Sequence, residues 1–443
     1  MLARETNVAH RLPTMSDPRY DPPATDAPET RGPNAAIIFL VISAFIGSMG
    51  FGLAAPVMPE LVMQITEASV AEAARWGGIA VFSYAVMQFI FSPIVGALSD
   101  RYGRRPVLII SLTAFAIDML LLALVTTLWA FLLVRALAGV FASTFSTTSA
   151  YIADVTPPGK RGQRFAMIGA AFGAGFIFGP AIGGLLGDID VRLPFFVGAA
   201  LAGANALFGY FLVPESLPVE RRRAFSWSRA STVGTLMQLV RTKGVGPLLP
   251  VFFFATLSSW VYPTVWAYVA IEKFDWTTKA VGYSVAYYGV IAFLSSAIVV
   301  QVFLPKLGIR RAVFIALVFE IVALAGIGFA TESWMVYAMV TLALVSTMQD
   351  PAIRQELSSR VAEDAQGELQ GGLSALTSIA MILAPLTYMG LFTFTAGESA
   401  IIYFPGAAFL AAAFMSLLTL VLYAFAERRL PPMEETSVTE STG

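Results

Sequence analysis

Cysteine is absent from this 443-residue chain, and histidine occurs once, at His10. Disulfides, thiol chemistry and iron–sulfur ligation are therefore excluded, and so is a cluster of metal-binding histidines. Charge is scarce as well. Asp, Glu, Lys and Arg make up 13% of the residues, against about 25% in an average soluble domain. Acids and bases nearly cancel, 29 against 28, which excludes a strongly basic nucleic-acid binder. The apolar runs hold no nucleophile–base pair, metal cluster or phosphate loop, so nothing in them points to an enzyme or to a bound cofactor.

What is present is apolar: 57% of the residues are hydrophobic. A water-soluble core could not bury that much, and the bilayer is the better solvent. A hydrocarbon core about 30 Å thick takes roughly 20 apolar residues per helix. Twelve such runs are legible, at 35–57, 77–98, 106–127, 129–152, 164–187, 194–213, 247–271, 280–304, 311–330, 334–352, 369–393 and 400–426. The expected fold class is an all-α integral membrane protein. A six-helix bundle over 35–213 and a second over 247–426 are joined by an arginine-rich central loop, 214–246. Residues 1–34, with six prolines, and 427–443 read as disordered tails, and the first has no basic-then-apolar order of a secretory signal.

Orientation follows from the cations. Arg4, Arg11, Arg19 and Arg31, with the Lys and Arg of the even-numbered connections and the C-terminus, fall on one side; the other side holds only Arg75, Arg192, Lys273 and Lys279. Both termini are thus expected in the cytoplasm, with the protein in the inner membrane.

The densest charge is a tight hairpin between the second and third runs, Gly96-Ala97-Leu98-Ser99-Asp100-Arg101-Tyr102-Gly103-Arg104-Arg105-Pro106. A partial echo, Gly308-Ile309-Arg310-Arg311, follows 205 residues later. Gly162 and Gly367 share that offset, as do Pro180 and Pro385. Three landmarks in one phase indicate two copies of one unit, the layout of bundles that rock about a midplane site.

On these residues the chain resembles the major facilitator superfamily, and within it the tetracycline-efflux type of drug/proton antiporter. The hairpin matches the superfamily loop motif. Arg135-Ala136-Leu137-Ala138-Gly139 resembles the fourth-helix motif, and Gly169 and Gly173 with Gly179-Pro180-Ala181-Ile182-Gly183-Gly184 resemble the fifth-helix antiporter motif. Gly50-Phe51-Gly52 with Pro56 and Pro59, Tyr151-Ile152-Ala153-Asp154, and Leu369-Gln370-Gly371-Gly372-Leu373 carry the tetracycline-efflux likeness. The resemblance implies a monomeric exporter that exchanges a small amphiphilic molecule for protons, driven by the proton gradient. A proton symporter or a non-transporting receptor on the same fold are the competing readings.

The constellations have physical roles. Gly96, Asp100, Arg101, Gly103, Arg104 and Arg105 form a charge network that, as the resemblance implies, latches the outward-open state; the plain alternative is a positive-inside anchor. Gly169 and Gly173 are four apart, as are Gly179, Gly183 and Gly187, a spacing that lets another helix approach, and Pro180 can bend the helix. Asp118 and Arg135 lie at similar depth, on the order of 10–12 Å below the outer surface at 1.5 Å per residue. Two solutions are open for them: an ion pair, or a protonated Asp118. Glu320 lies mid-span in the ninth run; its repeat mate is Phe115, one helical turn from Asp118. These three are the proton-coupling candidates, with static structural roles as the alternative. Phe45, Phe51, Gln88, Phe141, Phe145, Trp260, Tyr262, Trp266, Tyr287 and Met381 are candidates for lining a cavity that takes a lipophilic cargo. The family's first-span acid is missing here, where Gly47-Ser48-Met49 stands, and so is its eighth-span histidine. Tetracycline itself is therefore not implied.

Overall fold

In the computed structural model the described residues are 33–142, 144–223, 239, 244–362, 365–398 and 400–429. His10, residues 1–32 and 430–443 of the two tails, and Arg229, Arg241 and Lys243 lie outside them; 33–34 and 427–429 are helical, as the ends of the first and last spans. Twelve spans cross the molecule, here α1 to α12. In the first half these are Pro33–Ala54, Val70–Tyr102, Arg104–Leu124, Leu128–Val140 continued by Thr144–Val155, Arg161–Gly187 and Leu193–Leu212. In the second half they are Gly246–Phe274, Thr278–Leu307, Ile309–Phe329, Ser333–Ser359, Gln366–Ala396 and Ala407–Arg429. Eleven are long and apolar enough to cross a membrane alone; α4 is the shorter Leu128–Val140 plus its continuation.

Local chemistry sets the ends. Ser69, Thr127 and Thr277 accept bonds from backbone N–H groups three residues on, at the starts of α2, α4 and α8. Gly103 at φ 105° and Gly308 at φ 75° turn the chain between the second and third spans of each half, a conformation that disfavours any side chain. The twelfth span starts later than expected from hydropathy. Residues 400–406 are not helical, because Gly406 meets the backbone of Gly328 and the Phe404 N–H is bonded to Thr395 O at 2.8 Å.

The duplication shows in the defects. α1 stops at Ala54, with three residues between it and a short helix, Met58–Thr66, while α7 breaks at Trp260 between Leu249–Ser259 and Val261–Phe274. α4 breaks after Val140, and α10 breaks between Ser346 and Gln349. Both pairs of breaks coincide at the 205-residue offset. Single π-helical turns widen α8 at Ser295–Val299 and α11 at Pro385–Met389, the second beginning at the repeat mate of Pro180.

Between the halves, α5 packs on α8, and α2 packs on α7 and α11. These contacts gather on the side away from the chain ends. Thr393 Oγ1 donates to Ala71 O at 3.1 Å, Tyr268 abuts Gly77, and Met389 abuts Gly78. A Cβ on Gly184 would stand 2.9 Å from Gly282 Cα. On the side of the chain ends, a Cβ added to Gly96, Gly162, Gly169, Gly173 or Gly367 would meet nothing within 4 Å. The molecule is closed on the far side and open on the side of its termini.

Candidate functional site

In the first half the expected depth match is an ion pair. α3 and α4 run antiparallel from a three-residue turn, and Arg135 Nη2 bonds Asp118 Oδ1. Asp118 is buried at 6% exposure, and the Arg135 guanidinium carbon sits 5.9 Å from the Tyr84 ring centre. Arg135 Nε is buried without a partner, so the pair keeps one donor unspent. Of the two solutions left open by the sequence, the structure has the paired one.

Glu320 is different. It is buried at 4% on α9. Among the described residues no Lys or Arg forms an ion pair with it. A lone buried carboxylate in an apolar bundle is costly.

The hairpin forms a network within the first half. Asp100 pairs with Arg104 at 2.6 Å, and Arg104 Nε reaches Asp154 Oδ2 at 3.1 Å. Arg105 Nη2 donates to Tyr210 O at 2.7 Å, and Arg101 is exposed and stacks over Tyr102. The acid that orders the turn is one the sequence did not single out. Glu215 accepts from the N–H groups of Arg104 at 2.8 Å and Arg105 at 3.3 Å, capping the positive end of α3. The signal, Pro214-Glu215-Ser216, was visible, but its partner lies more than a hundred residues back.

On α5 the small-residue stripe divides. Gly175, Gly179 and Gly183 face the α1 backbone: a Cβ added to Gly179 would stand 3.0 Å from Gly52 Cα, and one added to Gly52 would run into Pro180. A Cβ added to Gly169 or Gly173 would meet nothing within 4 Å in this state.

The cavity candidates also divide. Phe51 is 47% exposed and pairs with Phe176 at 5.6 Å; Phe141 is exposed at the α4 break. Gln88 donates Nε2 to Ala142 O at 3.3 Å, holding that break to α2. Phe45, Trp260, Tyr287 and Met381 are half-buried, and Tyr287 shares a 2.6 Å hydrogen bond with Thr341. Tyr262 turns inward, stacked on Tyr288 at 4.9 Å with its hydroxyl buried and unpartnered. Trp266 belongs to the far-side core: it is 6% exposed, donates to Ser284 and packs edge-on to Trp276 and Phe409. Its indole N–H finds a partner within its own half, which a pattern of aromatics could not reveal. The side chain of Phe145 lies outside the described residues.

Two duplicated six-span bundles, closed on one side and open on the other around buried charges, define a membrane transporter. The chain belongs to the Major Facilitator Superfamily, whose family model matches residues 40–385. It is 34% identical to the tetracycline resistance protein, class C, of Escherichia coli over 82% of this chain and 91% of that protein. To the class D protein of Salmonella ordonez it is 36% identical over 81% and 90%. Multidrug resistance protein 2 of Bacillus subtilis (strain 168) is 29% identical over 79% and 86%. Among solved structures, the nucleoside transporter NupG has the same fold at a TM-score of 0.71, with 16% identity over 89% of this chain and 99% of that one.

Proposed function

We propose that this protein is a proton-coupled antiporter that exports a small amphiphilic molecule by alternating access. The observation that carries the reading is Glu320, an acid buried in one half without a counter-cation among the described residues, while the other half holds the Asp118–Arg135 pair. Such an acid is neutral when protonated and strained when charged, which ties its proton to the state of the bundle around it. Kinship with tetracycline resistance proteins and a multidrug resistance protein supports export of a drug-like cargo. The missing first-span acid and eighth-span histidine argue for a cargo recognised differently from tetracycline. The excess of cations on the side of the termini supports a cytoplasmic location for both ends in the inner membrane, so the state described here faces inward. The protein works as a monomer and needs no cofactor beyond the proton gradient.

Flux into everted membrane vesicles under an imposed pH gradient tests this, with ethidium and tetracycline as probes. Uptake that collapses with an uncoupler, and that fails in Glu320→Gln, is the expected result. Uptake that ignores the uncoupler in every probe would overturn proton coupling.

A further inference from the structure

Among the described residues, the fully enclosed tyrosines Tyr151, Tyr388 and Tyr423 each spend their hydroxyl on an acceptor in their own half. Tyr151 donates to Pro214 O at 2.6 Å, Tyr388 to Leu257 O at 2.8 Å and Tyr423 to Glu356 Oε2 at 2.7 Å. Tyr268 departs from that pattern. It is 3% exposed on α7, and its buried hydroxyl has no hydrogen-bond partner among the described residues. Tyr262 shares the lack, but it lies within the second half, stacked on Tyr288 and edge-on to Phe409. Tyr268 lies between the halves instead. A Cβ added to Gly77 of α2 would run into the Tyr268 hydroxyl and stand 2.9 Å from the ring Cζ.

A hydroxyl taken out of water without a new partner is unfavourable. The Tyr268 ring packs as a phenylalanine ring would, so its hydroxyl weakens the closed contact. The effect differs between states. When α7 leaves α2, the hydroxyl meets water on the far side and the penalty ends. The polar bond nearby resists that parting little. Thr393 Oγ1 lies 3.1 Å from Ala71 O across the halves and 2.8 Å from Met389 O in its own helix. One hydroxyl proton serves both carbonyls, and on separation it stays with Met389 O. Closure there is held by apolar packing, such as that of Met389 on Gly78.

We propose that Tyr268 is the gating residue that keeps the far side ready to open: its unpartnered hydroxyl raises the free energy of the closed contact and is released to water when α2 and α7 separate. The proposal rests on alternating access. Tyr268 sets the balance between the two faces from the joint itself, apart from Glu320 and the Asp118–Arg135 pair. Because the chain lacks cysteine, a single Ala71→Cys reports far-side opening by its maleimide labelling rate, with no cargo required. Ala71 is 3% exposed, and its Cβ lies 4.0 Å from the place of a Cβ added to Gly397, so a thiol there is covered until the halves part.

Labelling of Ala71→Cys in lipid vesicles is compared with and without Tyr268→Phe, which removes only the hydroxyl and keeps the ring. Tyr268→Phe is expected to slow it by about 5- to 150-fold, the population shift that matches one unsatisfied buried group. Gly169→Cys, on the open side, labels no more slowly in the same background. Gly77→Ala, whose methyl runs into the hydroxyl, is expected to speed labelling of Ala71→Cys. A Tyr268→Phe rate equal to the parent's or faster overturns the proposal, as does a Gly77→Ala rate no faster than the parent's. A Gly169→Cys rate that falls in step with the far-side rate shows a general loss of access and overturns it too. An Ala71→Cys that never labels in the parent overturns alternating access, and the proposal with it.

Discussion

At the scale of single residues, the Asp118–Arg135 pair separates what the bilayer demands from what transport demands. Breaking a buried pair by removing one partner costs about 3–5 kcal/mol, because the other charge is left stranded. Arg135→Gln should therefore insert poorly, and adding Asp118→Asn should restore the amount of folded protein without restoring flux. Quantitative detergent-extracted yield and vesicle flux check the two halves of that statement. Asp100 is the contrary case. Its side chain is 43% exposed and its bond to Arg104 spans one helical turn, so it adds on the order of 0.5 kcal/mol to stability. Asp100→Asn should leave melting unchanged and lower flux if the hairpin latches the opposite state; full flux in a well-expressed variant would leave it a mere anchor. Counting residues along two spans was enough to bring Asp118 and Arg135 together, since helix rise fixes depth. Glu215 was beyond such counting: it acts on a partner that only tertiary packing brings within bonding distance.

At the scale of elements, the glycines of α5 predict opposite outcomes from the same substitution. Glycine to alanine within a helix is ordinarily favourable by about 1 kcal/mol. At Gly173 the added methyl meets nothing, so Gly173→Ala should leave this state at least as stable. At Gly184 it would stand 2.9 Å from both Gly282 Cα and Thr278 O, backbone atoms that cannot rotate aside. Gly184→Ala should thus hold α5 off α8 and keep the far side open, read as faster labelling of Ala71→Cys. Labelling no faster than in the parent would show that the α5–α8 contact does not set closure. The spans themselves were legible because twenty apolar residues admit few other fates in lipid. Their breaks were not. α4 and α10 read as single apolar runs, and the interruptions are stabilised by Gln88 on Ala142 O and by Gln349 on Ser259, bonds made between elements distant in sequence.

At the scale of the molecule, duplication supplied the two bundles and divergence gave them different work. The first half fixes its buried acid with an arginine; the second leaves Glu320 without a cation among the described residues and places hydroxyls at its breaks. One half then behaves as a frame against which the other responds to a proton, and the joint between them must open for the cycle to turn. The far-side contact of Thr393 with Ala71 O is the one to fasten. With Ala71→Cys and Thr393→Cys joined by a short bifunctional maleimide, the bundles cannot part there, and the cleft stays exposed on the side of the termini. A third cysteine at Gly169, introduced and blocked separately, should remain open to labelling in the fastened protein, because nothing lies within 4 Å of that position. Flux of a transported probe should fall to background as the crosslink forms and return when a cleavable linker is cut. Loss of flux with Gly169→Cys still accessible means the cycle is arrested in the state described here rather than destroyed. Undiminished flux through a fully crosslinked protein would mean that cargo crosses without the halves separating on the far side.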